Sequence, residues 1–254
     1  MAVAVTASTA ETMLQSKNSG SGTTTISITT SGDNRGLIVF VASSQGSGLA
    51  GSAPSSVVYD GTAMTAENNN ATADVRITAY SLINPTTGSN NLVITWPAGT
   101  LNFILTETIS FSGVSQSDMA SGVTATTGSA TNTLNRDITS TASDSIVVSA
   151  VACTWIDWAN RALTVDTGES SAGGSITNTN FSAASYDDAE EDLSTNLVWT
   201  WYAGASCAMT AFSVDGPAPT NFAAVNGIAI GSIEAVNGIA NSNIQEINDI
   251  SNKT

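Results

Sequence analysis

The sequence contains no histidine, and only six of its 254 residues are Lys or Arg. Without histidine, the commonest general base, the commonest transition-metal ligand and every His-containing triad are excluded. The cations Lys17, Arg35, Arg76, Arg136, Arg161 and Lys253 are too scattered for a basic patch. Against 21 Asp and Glu they leave a net charge of −15. That balance argues against a nucleic-acid partner, because phosphate contacts need clustered Lys and Arg. Aromatics are scarce too, at 6%, and charged residues make up only 11%. No window approaches eighteen apolar residues, so no membrane-spanning helix and no membrane partner are expected. Met1 to Thr6 has neither a basic start nor a long apolar stretch, so no Sec-type leader is expected. The two cysteines, Cys153 and Cys207, lie in apolar strand-like runs and read as buried free thiols rather than a disulfide. Two cysteines without histidine make a poor metal site, and no cofactor is implied.

What is present is Ser, Thr, Asn, Gly and Ala in quantity, interrupted by regular apolar runs. Disordered low-complexity chains lack such runs, so the composition reads as an all-β protein with Ser/Thr-rich outer faces. Thr23 to Thr30 (TTTISITT) alternates with period two, as a half-buried strand should. Gly36 to Ala42 (GLIVFVA) is a continuous apolar run that fits a central strand, and Ser43 to Ser55 reads as a loop. Asp60-Gly61 between two short β-type segments predicts a hairpin, because a type I′ turn needs positive φ at both positions. Further strands are expected over Val75–Leu82, Asn91–Trp96, Phe103–Phe111, Ser145–Thr154, Leu197–Trp201 and Ser206–Val214. Glu107 is out of place on the apolar face of Phe103–Phe111 and suggests an edge or a bulge. The expected core is Leu37, Val39, Val41, Ile94, Ile109, Phe111, Val147 and Val198. Strands of this number and length predict one antiparallel, jelly-roll-like β-sandwich over residues 1–216.

The order of the pieces resembles a module of phage virion proteins and bacterial surface proteins. The matching pieces are Asn34-Arg35-Gly36-Leu37, Val57 to Thr65, Tyr80 to Gly88 with its Asn84-Pro85 turn, and Ile94-Thr95-Trp96. Ile109 to Gln116 and the segment from Trp199 to Val214 complete it, so the likeness covers roughly residues 20–215. Asp60 stands where that module usually has Gly, which the Asp-Gly turn tolerates. The family generally lacks an assigned activity. The resemblance therefore implies a β-sandwich display or coat module and carries over no catalytic residue.

Pro217-Ala218-Pro219 then forms a stiff spacer, and residues 217–254 read as a separate tail. Val225-Asn226-Gly227-Ile228 recurs as Val236-Asn237-Gly238-Ile239 and as Ile247-Asn248-Asp249-Ile250, eleven residues apart each time. Ile233 and Ile244 repeat at the same spacing. An eleven-residue apolar period suits a right-handed helical supercoil. Asn-Gly in the first two units, with Asn-Asp in the third, instead favours tight turns joining short extended pieces, which is the preferred reading. Three short units cannot bury their apolar side alone. Val225, Ile228, Ile233, Val236, Ile239, Ile244, Ile247 and Ile250 are therefore the expected docking residues.

Candidate chemistry is thin. The run Asp187-Asp188-Ala189-Glu190-Glu191-Asp192 lacks EF-hand spacing and reads as a solvated loop rather than a Ca²⁺ site. Asp157, Asp166 and Glu107 are available as paired carboxylates, but no motif selects them. Trp199 and Trp201 share a strand face and read as core. Trp155 and Trp158 lie in a loop-like stretch and are the better ligand or interface aromatics. The leading expectation is a non-enzymatic phage structural protein, a capsid decoration, cement or head-fibre subunit located in the virion. Its partners would be capsid or other virion proteins and copies of itself, a trimer being favoured. The alternative is a carbohydrate-binding module of a tail fibre or cell-surface protein, holding a glycan through Trp155 and Trp158.

Overall fold

The computed structural model describes residues 3–13, 17–18, 22–46, 49–101, 103–139, 145–154, 164–165, 170–177, 180–188, 194–217, 224–225, 228–229, 235–236 and 239–240. The chain divides into two compact units, Met1–Pro217 and Ala218–Thr254. Among the described residues all regular structure is strand. In order these are β1 (Ala4–Met13), β2 (Lys17–Asn18), β3 (Gly22–Thr30), β4 (Gly36–Gly46), β5 (Leu49–Ala50), β6 (Ser56–Tyr59) and β7 (Thr62–Ala63). Next come β8 (Thr65–Ala71), β9 (Arg76–Ile83), β10 (Gly88–Trp96), β11 (Thr100–Leu101) and β12 (Phe103–Ser112). The first unit closes with β13 (Ala120–Thr139), β14 (Ile146–Thr154), β15 (Thr164–Val165), β16 (Ser170–Thr177), β17 (Asn180–Asp188) and β18 (Ser194–Val214). The second unit holds β19 (Ala224–Val225), β20 (Ile228–Ala229), β21 (Ala235–Val236) and β22 (Ile239–Ala240).

The first unit is an all-β, antiparallel structure consistent with a β-sandwich. It is built from three principal sheets. A central sheet runs β1-β12-β4-β9-β8, with β5 beside β4. A second runs β3-β10-β6-β7, and a third β13-β18-β14-β17-β16, with β15 beside β18. Side-chain alternation explains the stacking. Leu37, Val39 and Val41 of β4 pack with Ile26, Ile28, Tyr59, Leu92, Ile94 and Trp96 of the second sheet. Ile38, Phe40 and Ala42, pointing the other way, pack with Val148, Ala150, Phe212 and Val214 of the third. The Phe40 and Phe212 rings lie 5.9 Å apart between those sheets. A strand covered on both faces must be apolar at every position, which is why Gly36–Ala42 is continuous rather than alternating.

The outer face of the third sheet is covered by the far half of the long antiparallel pair β13–β18 itself. Its register shifts on either side of Thr131. Beyond that bend, Leu134, Ile138, Leu197 and Trp199 return to pack on Val147, Val151, Met209 and Ala211. Trp199 Nε1 donates to Ser149 Oγ at 2.9 Å, fixing the arm over β14. The β14 and β18 residues of this cluster are all odd-numbered, on the face opposite the one that meets the central sheet.

Several expectations need correction. Cys153 and Cys207 are not free thiols: they are register partners on β14 and β18 and form a disulfide, with Cα atoms 4.1 Å apart. Val198 is only half-buried, because the buried phase of this segment belongs to Leu197 and Trp199 on either side of it. The other seven expected core residues are buried. The segment read as a loop after Ala42 continues β4 to Gly46 and adds β5. Glu107 is at neither an edge nor a bulge. It sits in unbroken register between Ala10 of β1 and Phe40 of β4 and is 2% exposed. The expected Leu197–Trp201 and Ser206–Val214 strands are one strand, β18.

Candidate functional site

Three of the pieces that carry the resemblance, Asn34-Arg35, the Asn84-Pro85 turn and the end of Ile109–Gln116, meet at one end of the first unit. Three turns converge there, between β3 and β4, between β9 and β10, and after β12. Each needs left-handed backbone, with φ of 48° at Asn34, 50° at Asn84 and 74° at Gly113. Asn tolerates this region because its short amide bonds locally, and Gly because it has no Cβ. Arg35 is the hub. Its Nε donates to the Pro85 carbonyl at 2.8 Å, Nη1 to the Gly32 carbonyl at 2.9 Å and Nη2 to Asn84 Oδ1 at 2.7 Å. The Arg35 carbonyl accepts from Asn84 N–H at 2.8 Å and from Gln116 Nε2 at 3.3 Å. Gly113 and Val114 N–H donate to the Asp33 and Asn34 carbonyls, both at 2.9 Å. A planar, permanently charged fork is suited to such a role, since one rigid group addresses three acceptors in different directions. The motif residues thus hold three loops together. Their chemistry is structural.

A second polar network joins the central and third sheets. Asn68 and Asn70 lie on the same side of β8 by strand alternation. Asn68 Nδ2 donates to the Thr124 carbonyl at 3.1 Å, and Asn70 Nδ2 to the Thr126 and Met209 carbonyls at 2.7 and 2.9 Å. Arg76 donates to the Gly51 carbonyl at 2.7 Å and also to Asn69 Oδ1. Ser81 donates to the Glu67 carboxylate. Burial pushes the Tyr80 phenol up to about 12, with the Arg76 charge opposing.

A third network surrounds Asp215, 8% exposed, whose Oδ1 accepts from Ser145 Oγ at 2.8 Å and Ser213 Oγ at 2.6 Å. Its backbone N–H donates to the Met119 carbonyl at 2.9 Å, and its carbonyl accepts from Ser115 N–H at 2.8 Å. Next to it, a Cβ on Gly36 would overlap Met119 Sδ and come within 3.0 Å of Val114 Cγ2.

Of the residues proposed from sequence, Trp155 and Trp158 lie outside the described residues, as do Asp157 and Asp166. Asp187 and Asp188 end β17 in register with Val147 and Ile146, and residues 189–192 lie outside. Among the described residues no group of three or more His, Cys, Asp or Glu gathers as a metal site. Trp199 is core, as expected, and the side chain of Trp201 lies outside the described residues. In the tail, Val225 pairs with Ile228, and Val236 with Ile239, as two antiparallel hairpins of identical register. Asn-Gly fills the two-residue connection in each. Ile233, Ile244, Ile247 and Ile250 lie outside the described residues.

Reading residues singly missed Arg35, whose only signal was its place in the Asn34-Arg35 piece of the motif. Comparison with family models, curated proteins and solved structures finds no match.

Proposed function

We propose that the protein is a non-enzymatic structural component of a phage virion, a decoration, cement or head-fibre subunit. In this reading residues 1–216 form a jelly-roll-like display body, and the tail docks it to a capsid or other virion protein. The observation that carries the reading is the pair of tail hairpins. Each has only two residues per strand, far below what an isolated hairpin needs for stability in water. A repeated hairpin presenting Val and Ile therefore needs a surface that completes it. Burying each such side chain contributes about 1.5–3 kcal/mol, enough for a few of them to offset the ordering of a short segment.

The motif network adds support from the other unit. Arg35, Asn84 and Gln116, which carry the resemblance to virion and surface modules, are occupied in holding loops together. The test is incorporation into particles. Deleting residues 218–254 should leave a folded body that no longer enters the assembly, and Ile239→Asp should weaken entry by placing a charge among the docking residues. Incorporation of the deletion variant at normal levels would contradict the reading. Binding to a glycan array, abolished by Trp155→Ala, would favour a carbohydrate-binding module instead.

A further inference from the structure

The edge strands of the three sheets differ in how well they are protected against pairing. β1, β8, β13 and β16 each carry a register shift against their neighbour. Such irregularities, like charges and prolines, blunt an edge. β3 has none of these. Its nine residues pair with β10 in unbroken register from Gly22↔Trp96 to Thr30↔Gly88. All nine are uncharged, and the other three strands of this sheet, β6, β7 and β10, carry no charge either. In a chain of net charge −15, this sheet is a neutral place at which two copies can approach. No strand among the described residues pairs with the outer side of β3.

The direction of its backbone groups follows from one bond. Asp60 N–H donates to the Asn91 carbonyl at 3.0 Å, so Asn91 faces β6. By alternation Leu92 and Ile94 face β3, where they pair with Ile26 and Thr24. The groups of Thr23, Thr25, Ser27 and Thr29 therefore point out of the sheet edge. These four residues are also the exposed ones, while Thr24, Ile26, Ile28 and Thr30 are buried.

The sequence of this edge is its own mirror. Around Ser27, Ile26 matches Ile28, Thr25 matches Thr29 and Thr24 matches Thr30. In a two-fold antiparallel contact centred on Ser27, Ile26 meets Ile28, Thr25 meets Thr29 and Thr24 meets Thr30, so this symmetry sets like residues opposite each other. We propose that β3 is a homodimer contact. Two copies join their β3 edges antiparallel about a two-fold axis at Ser27, making one continuous eight-stranded sheet from two four-stranded ones. Ser27 then opposes Ser27 of the second copy as a hydrogen-bonded pair, flanked by two Thr25–Thr29 pairs. Those three pairs exchange roughly six backbone hydrogen bonds. On the buried face, Ile26 meets Ile28 of the other copy, continuing the apolar layer across the junction. The trimer expected from sequence would need a three-fold contact, which this edge does not offer. The contact gives the copy-to-copy partner expected from sequence a place in the fold and is separable from the proposed function: a dimer that never enters particles would retain this inference and remove that one.

Sedimentation equilibrium of the full chain at low and high salt should show a dimer that strengthens with salt, as screening relieves like-charge repulsion. Ser27→Pro removes an outward N–H without touching the β10 ladder, so it should return the protein to monomer with its β spectrum intact. In a parallel test, Ser27→Cys should be cross-linked to dimer by a short bis-maleimide at least ten-fold more than Thr62→Cys. Thr62 is exposed on β7 at the opposite edge. The native cysteines are held in the disulfide and do not compete. A monomer at every salt concentration, a dimer undisturbed by Ser27→Pro, or equal cross-linking at both cysteines would overturn the proposal. If the proline variant loses its β spectrum, the two cysteine variants decide alone.

Discussion

Arg35 and Asn84 hold each other twice: the guanidinium donates to Asn84 Oδ1 at 2.7 Å, and the Asn84 N–H returns a bond to the Arg35 carbonyl at 2.8 Å. Forty-nine positions apart in sequence, they fix the β3–β4 turn to the β9–β10 turn. Arg35→Ala should therefore cost about 2–4 kcal/mol in urea unfolding, since three acceptors lose one charged donor. Arg35→Lys should recover less than half of that, because an ammonium cannot address three separated oxygens. Equal stability of Arg35→Ala and the parent would show that the network is incidental.

Two glycines separate backbone cost from steric cost. Gly61 has φ +79° and open space where a Cβ would stand, so Gly61→Ala should lose about 1 kcal/mol through conformation alone. At Gly36 no unusual φ is involved, and the obstacle is Met119 and Val114. Gly36→Ala should cost about 1–3 kcal/mol, and the same substitution should cost less when made in a Met119→Ala background. Denaturant midpoints of these variants measure both.

Much of this was legible in the sequence where polar and apolar residues alternate or where a turn demands one residue type. The Gly36–Ala42 part of β4 and the Asp60-Gly61 turn, with φ of 45° and 79°, follow directly from their residues. β8 and most of β13 were not legible, because their stability comes from partners rather than pattern. TAENNNA has no apolar face, yet it becomes a strand whose asparagines clamp the third sheet. Val198 shows the limit of reading apolar runs: in Leu197-Val198-Trp199 hydrophobicity does not reveal phase, which is set by the arm packing on β14. The disulfide was missed because pairing of β14 with β18 register by register is a property of the fold. For the site, the tail repeat and the motif pieces were visible, but Arg35's three-loop role required the turns to be brought together.

The disulfide closes a separation of 54 residues. In the chain-entropy treatment such a link stabilises by about 4 kcal/mol, with measured values typically about 2–4. The Cys153→Ala/Cys207→Ala double variant should unfold at correspondingly lower denaturant. Reductant should destabilise the parent by a similar amount while leaving the variant unchanged. An unchanged midpoint in reductant would mean the thiols are not linked.

Tyr80 gives the fold an alkaline limit. Its phenol is raised from 10.0 to about 12, first by burial, so the folded state favours the neutral form. Its contribution is fully present below pH 10 and is lost as pH rises from 10 through 12. Tyr80→Phe should flatten the stability profile across that window, which unfolding at about pH 9 and about pH 11.5 would reveal. A parallel decline in both proteins would place the alkaline sensitivity elsewhere.

The central claim, that this is a virion structural protein docked through its tail, is tested most directly by quantitative mass spectrometry of purified particles from the source of the sequence. The account predicts peptides of residues 1–254 at a fixed, integral ratio to the major coat protein, retained through a salt wash. Recovery only in the soluble fraction, with none in the particles, would contradict it.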